Sequence, residues 1–573
     1  MKKTIRYIVG TTALLIMIAS CKKYLDINSD PDTTQLPSSS SVLPQCLASI
    51  PTALQSDGGL YVAKYVQNWL THTTNNQNVY DLQGYSFGGG TMAATWQMTY
   101  YALGNNINYI IESGLNKKQY EFVGVALALK AWSFQHTTDY NADIPFHDAF
   151  IPNIFSFHYD PQEVVYKGVD SLCRTAIMYL DMAIANPTGS TLAKGDFVYN
   201  GDVTKWKKFA YGILARNWHH LTNKSTYNAD SVIKYCDNAM SSVNDDFCVP
   251  FDATVNNNSN YFGTFRDNMP SLRQSNYIVK LLDGTILAGS NIASNRDPRM
   301  AYMLSCSSDT TNGNGGYRGV DPGVGDQYSA LNSPSSYLVN GQPPTSGTAL
   351  TNYNNARKKV GIAFADSQYV NTSASVFTNT GKYLFQNKAV FPIMTYAEMQ
   401  FIKAEASLRR KTGPDVVAAY PAYINGIKAH FDFINRSYSS IRGALNLYTT
   451  SPISAATITK YLASANVAQI PTELTVSDVM LQKYIALWGW GFFETWVDMR
   501  RYHYNEDPDP LATGPVYQGF VYPTPFYSSN GNKPVYRVRP HFTSEYTYNL
   551  AELQRLGILT NTYHTTKMWF SEP

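Results

Sequence analysis

Long apolar runs are missing from this 573-residue chain. A bilayer span needs about 20 consecutive apolar residues. The apolar stretch Ile8 to Ala19 has twelve, and no later segment is long enough. Charge is also scarce: Asp, Glu, Lys and Arg make up 15% of the chain, against a usual ~25%. No excess of either sign marks a polyanion-binding surface, so nucleic acid is excluded as a general partner. The six cysteines are irregularly spaced, with no CxxC pair for zinc and no disulfide framework. Spacing leaves one bridge open, Cys236 to Cys248; the rest read as small buried hydrophobes. HExxH, Walker, GxSxG and EF-hand patterns are all absent. In "NWHHL" the adjacent His219 and His220 point to different helix faces and do not share a metal. "NEDPDP" at 505–510 lacks the glycine and spacing of a calcium loop and reads as a solvated turn. No cofactor or metal is expected.

The N-terminus carries a clear signal. Lys2, Lys3 and Arg6 precede the twelve-residue apolar stretch, the arrangement of a secretory signal. It ends in Ile18-Ala19-Ser20-Cys21, which resembles the lipobox of bacterial lipoproteins. In a lipobox the cysteine thiol is lipidated and becomes the mature N-terminus. Several acyl chains on Cys21 would anchor the chain without spanning the bilayer. Cleavage after residue 20 removes three basic residues and no acid, leaving 42 of each sign. Residues 21–40 read as a tether rich in Asp, Asn, Pro, Thr and Ser, with a random-coil reach of ~25 Å.

From there to about residue 243 the apolar spacing is helical. Trp96, Tyr100, Leu103, Ile107, Ile110 and Ile111 recur at steps of three and four, with Gly114 as a stop. The next segment carries Gly124, Ala126, Ala128 and Ala131, small enough for close helix contact. Asp202 is placed to cap the helix that follows it. Antiparallel pairs of this kind predict an all-α, tetratricopeptide-like repeat scaffold without a strict period. Residues 245–390 and 502–573 are instead rich in Gly, Asn, Pro and Tyr, and predict large irregular insertions on a single domain spanning 41–573. Helical signals return between them.

Four separated motifs resemble the SusD/RagB family of nutrient-binding outer-membrane lipoproteins. They are the lipobox with "CKKYLDINSDPDTTQ", then "FPIMTYAEMQFIKAEA", "QKYIALWGWGFFETWVDMRRY" and "YRVRPHFTSEYTYNLAEL", in the family's order. Read physically, the motifs are structural. Met394, Ala397, Phe401, Ala404 and Leu408 form an inward stripe, and Glu398 and Glu405 bond across the scaffold rather than act as acids. Trp488, Phe492 and Trp496 fall at i, i+4 and i+8 as a core stripe. Glu494, Asp498, Arg500 and Arg501 are expected to form ion pairs, with Arg-Arg gripping an acidic group as the alternative. Pro540, Glu545 and Asn549 read as a lock between tail and scaffold.

The resemblance implies a non-catalytic surface lipoprotein that captures nutrient and caps a SusC-like TonB-dependent transporter barrel. Sugar rings stack their C–H faces on aromatic rings while their hydroxyls need polar partners, so mixed loops are the candidates. These are Asn78, Tyr80, Asp81, Tyr85 and Phe87 in one loop; Tyr261, Phe262, Arg266 and Asp267 in a second; Tyr317 and Arg318 in a third. The family's motifs do not assign these positions. The alternatives are a lipid-anchored glycan hydrolase, a peptide-binding member of the same family, and a helical-repeat assembly factor.

Overall fold

The computed structural model describes residues 37–573 except 75–77, 89, 188, 310–315, 363–382 and 442–451. Cys21 and the tether before Pro37 lie outside the described residues. Ser38 caps the first helix, α1 (Ser39–Ala53), by accepting from Ser41 N–H. The chain then unwinds into a wider, π-helical segment, Leu54–Val62. The scaffold continues through α2 (Gly104–Lys117), α3 (Tyr120–Asn141), α4 (Gln162–Ala185), α5 (Val203–His219) and α6 (Ala229–Asn238). Each packs on the next, as expected for antiparallel pairs. The helix α2 runs past Gly114 to Lys117 and stops where Lys118 adopts a left-handed conformation. Asp202 caps α5 as anticipated, accepting from the N–H groups of Thr204 and Lys205. The small residues of α3 are all buried against its neighbours.

Two short antiparallel ladders anchor the loop-rich insertion. β1 (Trp69–Thr71) pairs with β3 (Leu272–Gln274), Trp69 opposite Gln274. β2 (Phe247–Val249) pairs with β4 (Phe391–Met394), so the insertion leaves and returns to the scaffold through one ladder. The core centres on Trp69, whose ring packs against Phe262, Phe385, Trp488 and Phe492 at 5.1–5.9 Å. All five described cysteines are buried, and Cys236 and Cys248 are not bridged to each other. No described helix is long and apolar enough to cross a membrane.

The motif segments meet in a buried charge network. It links α5 to α7 (Tyr396–Leu408), which packs on α8 (Val416–Ile441), and to α9 (Val476–Leu487) and α10 (Phe492–Arg501). Arg216 grips Glu398 in a bidentate pair at 2.5 and 2.7 Å. Glu405 receives both terminal nitrogens of Arg501 (2.8 and 3.0 Å), the Tyr502 hydroxyl (2.6 Å) and His219 Nε2 (2.7 Å). Lys483 pairs with Asp498 at 2.7 Å, and Asp498 pairs with Arg501 at 2.6 Å. Both glutamates thus bond across the scaffold. The adjacent histidines separate as expected: His220 turns to Glu494 and Asp139, away from Glu405.

Three expectations need correction. Trp488, Phe492 and Trp496 are buried but do not share a helix. α9 ends at Leu487, Gly489 takes φ +90°, and α10 starts at Phe492. Among the described residues Arg500 pairs with no acid: it donates to the carbonyls of Asp139 and Tyr536 (2.7 and 2.8 Å) and lies 3.8 Å over the Trp496 ring. In "NEDPDP", Asp509 is not solvated. It is buried and accepts from Ser477 N–H in the first turn of α9. No cluster able to hold a metal occurs among the described residues.

Candidate functional site

The site is built on the π-helical segment. Widening a helix by one residue per turn re-aims the side chains that follow, and such segments gather at functional sites. Here it turns Asp57 inward and leaves Tyr61 half-buried at the surface. Asp57 accepts from the N–H groups of Ala94 and Thr95 (3.2 and 2.8 Å). Burial outweighs those bonds and raises its carboxyl to about 6.

Tyr61 joins the first two predicted loops. Its ring lies 4.6 Å from Tyr80. The second loop packs on the same segment: a Cβ on Gly59 would run into the Phe262 ring, which brings the adjoining Tyr261 alongside. The Tyr61 phenol is raised by burial, by Asp57 and by Tyr261. Arg266 sits 4.9 Å over the Tyr261 ring, a cation–π contact. Tyr80 and Tyr261 are likewise raised, mainly by burial. All three phenols therefore keep their protons at neutral pH and offer neutral donors and acceptors beside aromatic faces.

The other predicted residues divide between support and rim. Asn78 closes the turn, its Oδ1 accepting from Tyr80 N–H (3.1 Å) and Lys64 (3.1 Å). Asp81 is buried, accepting from Thr71 N–H at 2.9 Å and pairing with Lys64 at 3.3 Å. These two hold the loop that presents Tyr80. Tyr85 is buried and stacked on His564 at 5.5 Å. Phe87 is 36% exposed, 4.7 Å from Tyr546 with Arg539 4.6 Å over its ring. Phe262 is fully buried against Trp69, so it is core rather than ligand surface. Asp267 is exposed at a left-handed position, φ +52°. The third loop is tied down within its own insertion. Arg318 is turned into its own loop, bonded to Ser307 and Asp309. Tyr317 neighbours Cys306 and Arg296 of the same insertion, and burial raises its phenol.

Reading the sequence missed Tyr61, Arg539 and Tyr546. Tyr61 falls within a helical apolar pattern where an aromatic reads as core; only the π register brings it to the surface.

A profile of starch-binding proteins associating with the outer membrane, termed SusD-like, matches residues 31–523. The chain belongs to the SusD-like family. Solved SusD-like structures share its fold across nearly its whole length. A SusD/RagB family protein from Bacteroides thetaiotaomicron superposes with a TM-score of 0.66 at 20% identity, covering 93% of this chain and 99% of that one. A SusD homolog from Bacteroides fragilis gives 0.65 at 18% identity, covering 94% and 100%. A chitin-binding SusD homolog from Flavobacterium johnsoniae gives 0.60 at 18%, covering 93% and 98%. No curated protein matches the chain. At these identities the SusD-like structures speak for the fold, and the mainly helical architecture expected from the sequence is the one found.

Proposed function

We propose that this SusD-like protein captures an uncharged oligosaccharide at the cell surface without chemically altering it. The observation that carries the reading is the convergence of Tyr61, Tyr80 and Tyr261 from three separate segments, with Arg266 beside them. Aromatic faces take the C–H side of a sugar ring, and the protonated phenols and guanidinium meet its hydroxyls. Phe87 extends the surface at its edge, while Asn78 and Asp81 support it from beneath. The family's starch-binding description and the chitin-binding relative both favour a glycan over a peptide. Lipid on Cys21 would hold the protein on the outer membrane, facing outward. Its partner is a SusC-like TonB-dependent transporter, to which the bound glycan is handed over.

Isothermal titration with maltoheptaose and chitohexaose tests this, together with chromatography of the incubated sugars. Binding of an intact glycan is expected, with Tyr80→Ala weakening it about ten-fold, the scale of one buried aromatic anchor. Release of shortened products would overturn the non-catalytic reading. Unchanged affinity in Tyr80→Ala would move the site elsewhere.

A further inference from the structure

A second aromatic surface lies on the far side of the helix that carries Tyr546. This helix, α11 (Phe542–Tyr548), turns Tyr546 toward Phe87. Glu545, Tyr548 and the following Asn549 face the other way, into a groove of about 610 Å³. That volume falls within the ~300–1,000 Å³ of small-ligand sites. The opposite wall is the loop between α3 and α4, and the floor is Trp96 and Tyr100, 4.7 Å apart.

The groove is preformed. Tyr100 and Tyr101 come from a second π-helical segment, Met98–Leu103. Immediately after it, Gly104 leaves room for Phe150: a Cβ there would lie 2.5 Å from the Phe150 ring. Phe150 and Asn153 hold left-handed backbone conformations (φ +70° and +67°), which persist only where surrounding contacts over-determine them. Those contacts are present. Tyr100 donates to the Pro145 carbonyl at 2.7 Å. Asn549 Oδ1 accepts from Ser156 Oγ and Phe157 N–H (2.8 and 3.1 Å), and its Nδ2 donates to the Phe157 carbonyl (2.9 Å). Tyr159 donates to Glu545 at 2.7 Å. The Glu545–Asn549 lock therefore shapes a wall as well as fastening the tail.

On this rigid frame the rim rings are left bare: Tyr101 is 62%, Phe155 82% and Tyr548 73% exposed. Among the described residues Glu545 is the only charged one lining the groove, and both its oxygens are engaged, by Tyr159 and Asn549 on one side and Ser544 on the other. Nothing there recognises an ion. Bare rings, two phenol hydroxyls and the exposed amide of Asn105 suit a neutral ring compound with an apolar face and hydroxyl edges.

We propose that this groove is a second sugar-binding site, in which a unit of an uncharged oligosaccharide stacks on Tyr101, Phe155 and Tyr548. The inference rests on the glycan reading above for ligand class, and adds a site separate from the Tyr61–Tyr80–Tyr261 surface.

Titration of the full-length protein in detergent with maltoheptaose and chitohexaose separates the two. Tyr101→Ala/Tyr548→Ala strips the groove, and Tyr80→Ala/Tyr261→Ala strips the first surface. Melting temperature serves as the folding control, since the groove rings are exposed. Two sites per chain are expected for the native protein, and one in each double variant. Tyr101→Ala alone weakens the groove site about ten-fold. One site, lost in the Tyr80/Tyr261 variant and untouched in the groove variant, would overturn this inference and leave the first reading standing. One site lost only in the groove variant would overturn the first placement and uphold the groove. No binding of either glycan to the native protein would overturn both.

Discussion

Replacing Glu405 by Gln tests whether the motif helices are held by their buried charges. Glu405 and Arg501 have no exposed side-chain surface, and four donor contacts converge on the carboxylate. Arg501 approaches both oxygens, so whichever way a Gln amide is turned, its NH2 faces an Arg501 N–H. The variant keeps the volume, loses the charge and leaves a buried guanidinium with Thr222 and Asp498, of which Asp498 alone carries charge. Breaking a buried pair from one side costs about 3–5 kcal/mol. With an unfolding entropy of ~2.1 cal/mol/K per residue, a cooperative unit of ~500 residues changes by ~1 kcal/mol per degree. Calorimetry should therefore place Glu405→Gln about 3–5 °C below the native melting temperature. Lys167→Ala, which breaks an exposed pair with Glu163, should shift it by under 1 °C. Burial alone would raise the Glu405 carboxyl, but Arg501 and His219 outweigh it and hold it well below the usual range. Its stabilisation is thus present above the unfolded pKa near 4.3 and fades as pH falls through the lower folded value. Glu405→Gln should flatten that acid limb. A variant melting within 1 °C of native, with an unchanged acid limb, would refute the reasoning.

At alkaline pH the sign reverses at His220. Burial pushes its pKa down, yet Glu494 and Asp139 outweigh burial and hold it at about 9. Its contribution is complete below the unfolded pKa near 6.5 and is lost as pH rises through about 9. The melting temperature should fall between pH 7 and 10, and His220→Gln should remove most of that slope. Cys21→Ser should abolish lipidation and release the protein from membranes, seen as a shift to the soluble fraction and loss of incorporated radiolabelled palmitate.

The helical scaffold was legible because its signals are local. Apolar spacing marks the faces of α2 to α5, Asp202 marks a start, and the small residues of α3 mark a crossing. The roles of Glu398 and Glu405 were legible in kind, since carboxylates inside an apolar stripe must find cations when buried. Their partners, Arg216 and Arg501, lie 182 and 96 residues away, beyond the reach of any local pattern.

The loops show where local reading ends. "NNQNVYDLQGYSFGG" offers Asn, Tyr, Asp and Phe alike; which of them face solvent depends on contacts from elsewhere. Lys64 draws Asp81 inward, His564 covers Tyr85, and Trp69 takes Phe262 into the core. Of the groove beside α11 the sequence showed only the lock residues Glu545 and Asn549, because its wall needs Asn549 to meet Phe157 across 392 residues. By itself the sequence determined the helical class, the family and the expectation of a lipid at Cys21, for each is written in contiguous residues. Which aromatic rings stay bare was decided only by tertiary structure, because exposure belongs to whatever packs against a ring, and those neighbours come from distant parts of the chain.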